Sequence, residues 1–195
     1  MKILFTIIFT LVVLSCTKTP EKTFSDQRDK SEYHFIEDGN KIWMTDNLSY
    51  LDAEIYNNGA WLWNCEEEDF SKVKKGSYLK KFVLYDWETA KNYCPEGWHL
   101  PSIEEWKDLI ALYSADNPDS PGLDKLNFSF DGHARMFNKF CIFDGNTYWT
   151  RDSSESDQMA ITIAIQHSMN GGIICNHEVT GIHNAFYVRC IKNKE

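Results

Sequence analysis

Cysteine and histidine are the residue types in this sequence that could bind a transition metal. Cys175, His177 and His183 lie close together near the C-terminus, and His167 lies just upstream. Zinc sites usually combine closely spaced pairs of ligands, and no Cys-x-x-Cys pair occurs in the chain. Oxidation would also remove the thiolate through which Cys175 would bind a metal. The spacing therefore predicts no metal site, and we expect no cofactor.

Two other kinds of chemistry have weak support. The acidic run at residues 66–69 lacks the fixed ligand spacing of a calcium loop, and a solvated loop is the favoured interpretation. No Ser/His/Asp or Cys/His arrangement typical of nucleophilic catalysis is recognisable. We therefore predict no catalytic residues, although single residues of these types are present.

The N-terminus carries the pattern of an export signal. Residues 1–15 contain one basic residue, Lys2, followed by an apolar run that is too short to span a bilayer as a helix. The run ends at Ser15-Cys16, which resembles the lipobox of bacterial lipoproteins. We predict a signal peptide at 1–15 and lipidation of Cys16, so that the protein is held in the cell envelope, at the outer membrane or the cell surface.

Charge and length restrict what the exported part can do. The chain has a net charge of −9, which makes nucleic acid and anionic headgroups poor partners. Residues 16–32 are polar, with one large apolar residue, and are predicted to form a lipidated flexible tether. The remainder is long enough for one domain, which we place at 33–192.

The later segments contain signals for two helices followed by short strands. Asp38-Gly39-Asn40 predicts a hairpin between two apolar stretches. A first helix is expected at 87–94, and a second begins at the capping box Ser102-x-x-Glu105 and ends at 117–118. Strands are expected at 137–143, 148–150, 159–165 and 186–191. Helices placed early and strands placed late indicate an α+β fold.

Four segments resemble one known family. They are 42–48 (IWMTDNL), 85–90 (YDWETA), 94–102 (CPEGWHLPS) and 187–190 (YVRC). Together they closely resemble the Fibrobacter succinogenes major paralogous domain of exported bacterial proteins. Two residues of the segment 94–102 also have a physical interpretation of their own. Gly97 permits an unusual backbone conformation, and His99, between two large apolar residues, is interpreted as a structural histidine.

The resemblance implies a fold and a disulfide. The family is similar to C-type lectin-like and formylglycine-generating (sulfatase-modifying) domains, which implies two helices on a small twisted antiparallel sheet with long irregular loops. The resemblance also implies a disulfide between Cys94 and Cys190. Cys94 is expected on the core-facing side of the first helix, and Cys190 on the core-facing side of the last strand. Cys141 with Cys175 is the expected second disulfide, which leaves Cys65 unpaired.

The favoured function is a binding module of the bacterial envelope, whose ligand is a glycan or a protein. Trp61 and Trp63 alternate in an Asn- and Gly-rich stretch and are candidate ligand-binding residues, although burial in a cluster is equally consistent with the pattern. Neither the Glu-Pro-Asn nor the Gln-Pro-Asp motif of calcium-dependent lectins occurs. An oxidoreductase-like enzyme and a purely structural lipoprotein remain the alternatives.

Overall fold

The protein adopts an α+β fold in a computed structural model, as the sequence predicts. The structure describes residues 22–62, 82–114, 122–128, 132–137, 139–142, 145–167 and 173–194. Within these residues the strands form four antiparallel sheets, of four, three, two and two strands. The predictions for the signal peptide, Cys16, Trp63 and Cys65 lie outside the described residues.

The first sheet joins the two ends of the described chain. Its strands are β1 (Lys22–Ser25), β2 (Glu32–Asp38), β3 (Lys41–Met44) and β11 (Ile191–Asn193). Asp38 pairs with Lys41 across a two-residue turn, which confirms the predicted hairpin. The left-handed φ of +54° at Gly39 suits glycine in this turn.

Strand β1 corrects the prediction of a flexible tether over residues 16–32, which is wrong for 22–32. The single large apolar residue of this segment, Phe24, stacks on Trp98 at 4.4 Å and on Tyr33 at 5.5 Å between ring centroids. Asp26 is buried and binds the Arg28 guanidinium. Aromatic burial and this ion pair offset the entropy of ordering a polar segment.

In the part of the chain that the structure describes, two α-helices lie between the early and late strands. Helix α1 (Trp87–Asn92) is capped by Asp86 and ends two residues before the predicted end, because the residue preceding Pro95 disfavours helical backbone angles. Helix α2 (Ile103–Tyr113) begins at the predicted capping box, formed by Ser102 and Glu105. It ends at Tyr113, earlier than predicted, and the backbone of the C-cap residue Ser114 is extended.

The remaining strands are mostly late. Strands β4 (Ala60–Leu62) and β5 (Val83–Tyr85) form one pair, and a 3-10 helix covers Leu123–Leu126. Strands β6 (His133–Met136) and β7 (Lys139–Ile142) form a hairpin where one strand over 137–143 was predicted. The late sheet contains β8 (Asn146–Ser153), β9 (Met159–His167) and β10 (Ile173–Gly181). It confirms the strands expected at 148–150 and 159–165, with longer bounds.

The extended segment 185–191 separates two hydrophobic cores. Phe186, Val188 and Cys190 point into the first core, which also contains Trp149. Ala185, Tyr187 and Ile191 point into the second core, which also contains Trp106. The predicted alternation is therefore confirmed, because successive residues of extended chain face opposite sides. The predicted strand over 186–191 is wrong in extent: 185–187 form single bridges, and β11 starts at Ile191.

The disulfide prediction is confirmed for one pair and wrong for the other. Cys94 is bonded to Cys190, across 96 positions of sequence, and closes the first core. Cys141 and Cys175 are free thiols. Cys141 lies in the β6-β7 hairpin, whereas Cys175 lies in β10, which belongs to a different sheet.

Candidate functional site

A polar cleft of about 540 Å³ lies where five elements of the fold meet. Strands β3, β8 and β11, the two helices and the link between them contribute its walls. Six of its seven lining residues carry polar or charged side chains; they are Lys41, Lys91, His99, Glu105, Arg151 and Asn193, with Leu100 as the apolar member. A cleft of this size can hold a ligand of a few hundred cubic ångströms.

The pairing of strands β3 and β11 positions one wall of the cleft. Lys41 begins β3 and is paired with Asn193 at the end of β11. The Nζ atom of Lys41 donates to Oδ1 of Asn193 at 2.9 Å and to Oε1 of Glu105 at 2.6 Å. These two contacts hold the lysine head at the edge of the cleft. They also join the first sheet to helix α2.

The turn before α2 places His99. Gly97 has a φ of +78°, which confirms its predicted role, because the left-handed region strains other residues. After this turn, His99 pairs with Ile191 through two backbone hydrogen bonds, of 2.8 and 2.9 Å. The backbone of His99 is therefore fixed by its pairing with Ile191, while its half-buried imidazole lines the cleft, so the structural role predicted for the side chain stays a prediction.

Glu105 is the acidic residue of the cleft and has a second role in the helix. Its Oε2 accepts from the backbone N–H of Ser102 at 2.8 Å, which completes the capping box of α2. Desolvation by burial opposes ionisation of Glu105, but the hydrogen bonds from Lys41 and Ser102 and the charge of Arg151 outweigh it. The pKa of Glu105 is consequently lowered.

Arg151 and Lys91 supply the remaining positive charge. Arg151 lies in β8, and its backbone N–H donates to the carbonyl of Pro101 at 2.9 Å, next to the cap of α2. Lys91 lies over the ring of Trp87, 3.7 Å from its centroid, and pairs with Glu88 at 3.0 Å. Both cations are thus positioned by their own elements, without a bound ligand.

The charges around His99 determine its ionisation. Burial lowers the pKa of His99, and the positive charges of Arg151 and Lys41 lower it further, while Glu105 acts in the opposite direction. His99 is therefore neutral at pH 7. A neutral imidazole can donate one hydrogen bond and accept another.

Comparison with known protein families finds a match to one part of the chain. Residues 36–121 match the Fibrobacter succinogenes major domain. The match confirms the predicted family over less than half of the 195 residues and is shorter than the predicted domain of 33–192. No curated protein and no solved structure shows a significant match.

The Fibrobacter succinogenes major domain match and the cleft overlap only in part. Lys41, His99 and Glu105 belong to the matched residues, whereas Arg151 and Asn193 follow them. The later strands therefore complete a cleft whose early walls are built by the matched segments. Sequence patterns drew attention to His99 and, as a capping-box residue, to Glu105, but not to Lys41, Arg151 or Asn193, because such positions carry no spacing signal for a cleft formed by tertiary contacts.

Trp61, the first of the two predicted ligand-binding residues, lies in β4 outside the cleft. Its half-buried ring packs against the second core, and the guanidinium of Arg135 lies 4.2 Å from its centroid. Arg135 thus covers part of the ring that a ligand would need for stacking. Binding by Trp61 stays a prediction, as does binding by Trp63.

Two further features bear on membranes and metals. Among the described residues, no group of three or more His, Cys, Asp or Glu side chains is arranged to hold a metal ion. None of the helices within the described ranges is long and apolar enough to cross a bilayer.

Proposed function

We propose that this protein is an exported, lipid-anchored binding module of the bacterial cell envelope that binds a glycan in the polar cleft. The observation that carries the proposal is the composition of the cleft, in which donors and acceptors outnumber apolar groups. Sugar hydroxyls both donate and accept hydrogen bonds, and Lys41, Glu105 and Asn193 present complementary groups. The family match supports a domain of the cell surface or envelope.

The cleft is preorganised for such binding. Lys41, Glu105 and Asn193 are joined by hydrogen bonds, and His99 is fixed through its backbone to Ile191. Groups that are already ordered lose less conformational entropy when a ligand arrives. This arrangement favours recognition of a polar ligand by a rigid surface.

Retention on immobilised envelope polysaccharides tests the binding function. The full chain in detergent micelles is expected to be retained on at least one polysaccharide. Asn193→Trp, which places a large ring at the mouth of the cleft, should abolish retention. Asn176→Trp, at an exposed position of strand β10, is the matched control and should leave retention unchanged. Failure of every polysaccharide to retain the protein, or equal retention of both variants, would contradict glycan binding in the cleft.

The lipid anchor is part of the same proposal. The sequence around Cys16 supports it, because a short apolar run followed by Ser15-Cys16 resembles a lipobox. Wild-type protein expressed in a bacterium should partition into the detergent phase, and Cys16→Ala should partition into water. Equal partitioning of the two into water would show that Cys16 carries no lipid.

We also propose that the fold is C-type lectin-like. Two observations support this relationship. The Cys94–Cys190 disulfide links the end of the first helix to the C-terminal part of the domain, and the first sheet contains both the first strand, β1, and the last strand, β11. An experimental structure compared with lectin-like domains is the test. A different connection of the strands around the two helices would rule it out.

A further inference from the structure

Arg151 is a cation of the cleft whose hydrogen-bonding capacity is not used. Its Nη2 atom lies 3.6 Å from Oε2 of Glu105, which is too long for a hydrogen bond. Its guanidinium donates to no side chain or carbonyl within the described residues, and half of its side chain is exposed. The fork of donors is therefore open toward solvent at the cleft.

His99 is a second donor without a partner. Its two backbone hydrogen bonds to Ile191 are made, but its imidazole forms none within the described part of the chain. His99 and Arg151 both line the cleft, and the positive charge of Arg151 acts on the imidazole. The cleft thus offers two groups whose side-chain N–H donors make no hydrogen bond within the described residues.

The charge balance of the cleft favours a single negative group. Three cations line it. Lys91 is paired with Glu88, whereas Lys41 and Arg151 both lie beside the single carboxylate of Glu105, at 2.6 and 3.6 Å. One carboxylate cannot neutralise two cations, so one positive charge is left, and Arg151, which makes no hydrogen bond to Glu105, is placed to meet a ligand. One guanidinium suits a carboxylate with one charge, whereas a phosphate dianion would need a second uncompensated cation.

We propose that the cleft binds an acidic saccharide, with the carboxylate of a uronic acid residue held by Arg151 and His99. The planar guanidinium matches the two oxygens of a carboxylate, and the imidazole N–H provides a third hydrogen bond. Glu105 and Asn193 then face the sugar hydroxyls. This inference rests on the proposed glycan-binding function and specifies its ligand class.

Matched trisaccharides test the ligand class. Calorimetric titration of the full chain in detergent micelles compares trigalacturonate with neutral trigalactose. Trigalacturonate is expected to bind at least tenfold more tightly, a factor that corresponds to about 1.4 kcal/mol. Arg151→Gln should remove this preference. Lys107→Gln, an exposed cation of α2 outside the cleft, is the matched control and should change affinity less than twofold.

The pH dependence of trigalacturonate affinity tests the role of His99 separately. A bound carboxylate raises the pKa of His99, so trigalacturonate should bind more tightly at pH 5.5 than at pH 7.5. The other charged groups that act on His99 are Glu105, Lys41 and Arg151. The pKa of Glu105 is lowered from 4.5, so its carboxylate does not titrate over this range. His99→Gln retains a donor but cannot be protonated, so it should flatten the pH dependence.

Three results would overturn the inference in different ways. Equal binding of both trisaccharides would leave glycan binding intact and refute the carboxylate. If inorganic phosphate displaces trigalacturonate at equal concentration, and if Arg151→Gln no longer binds phosphate, the site would be reassigned to phosphate. Absence of binding by both trisaccharides, while a neutral polysaccharide retains the protein, would refute the acidic ligand and leave the broader function standing.

Discussion

The Nε atom of Arg189 donates to Oδ1 of Asn47 at 3.2 Å, across 142 positions of sequence. The same guanidinium donates to the carbonyls of Leu126 and Asn127, and Arg189 is 2% exposed. Burial lowers the pKa of Arg189, with partial compensation from Tyr148 and Asp46. Two segments of the family resemblance, 42–48 and 187–190, therefore meet at a buried cation surrounded by neutral acceptors.

Arg189→Met is expected to destabilise the fold, because the acceptors on Asn47, Leu126 and Asn127 would lose their donor. Buried polar groups without partners cost roughly 1–3 kcal/mol each, so we expect a loss of about 3 kcal/mol in the free energy of unfolding. Urea denaturation measures it. Arg151→Met, at a half-exposed site, should change stability by less than about 0.5 kcal/mol. Similar losses in both variants would contradict the special role of Arg189.

Removal of the Cys94–Cys190 disulfide should lower stability strongly. The entropy model gives about 4–5 kcal/mol for a loop of this size, less any strain. The double variant Cys94→Ala/Cys190→Ala tests this in urea. The control variant Cys141→Ala/Cys175→Ala removes two free thiols, which form no disulfide, and should lower the free energy of unfolding much less. A peptide map that links Cys94 to Cys65 would refute the pairing.

Cys175 should react slowly with iodoacetamide in the folded protein. Burial raises its pKa from 9.0 to about 11, and since only the thiolate reacts, about a hundredfold less of the reactive form is present. Peptide-resolved mass spectrometry measures the rate at pH 8 with and without urea. Equal rates in folded and unfolded protein would show that the thiol is not shielded.

Glu37 should make stability sensitive to acid. Hydrogen bonds from Lys194 and Lys22 lower the pKa of Glu37 from 4.5 to about 2. Because its pKa is depressed in the folded state, its contribution is present above pH 4.5 and is lost as pH falls toward 2. Thermal midpoints of wild type and Glu37→Gln should converge over that window. The difference should also shrink in high salt, because these charges are exposed.

Local signals in the sequence determined the parts of the fold that depend on neighbouring residues. The capping box at Ser102, the hairpin turn at Gly39 and the alternation of Phe186, Val188 and Cys190 all follow from short-range geometry, and all are present. Three of the four segments that carry the family resemblance, 42–48, 85–90 and 94–102, lie within the residues 36–121 that match the family. These features need only a few adjacent residues, so a single sequence is sufficient to predict them.

Tertiary structure alone decided the site. Lys41, Glu105, Arg151 and Asn193 are far apart in sequence and meet because strand pairing and helix packing bring their elements together. Tertiary contacts also ordered β1, through Phe24 and Trp98, and left Cys141 and Cys175 unpaired on different sheets. Each outcome depends on long-range contacts between residues of ordinary local pattern, and such contacts leave no periodic signal in the sequence.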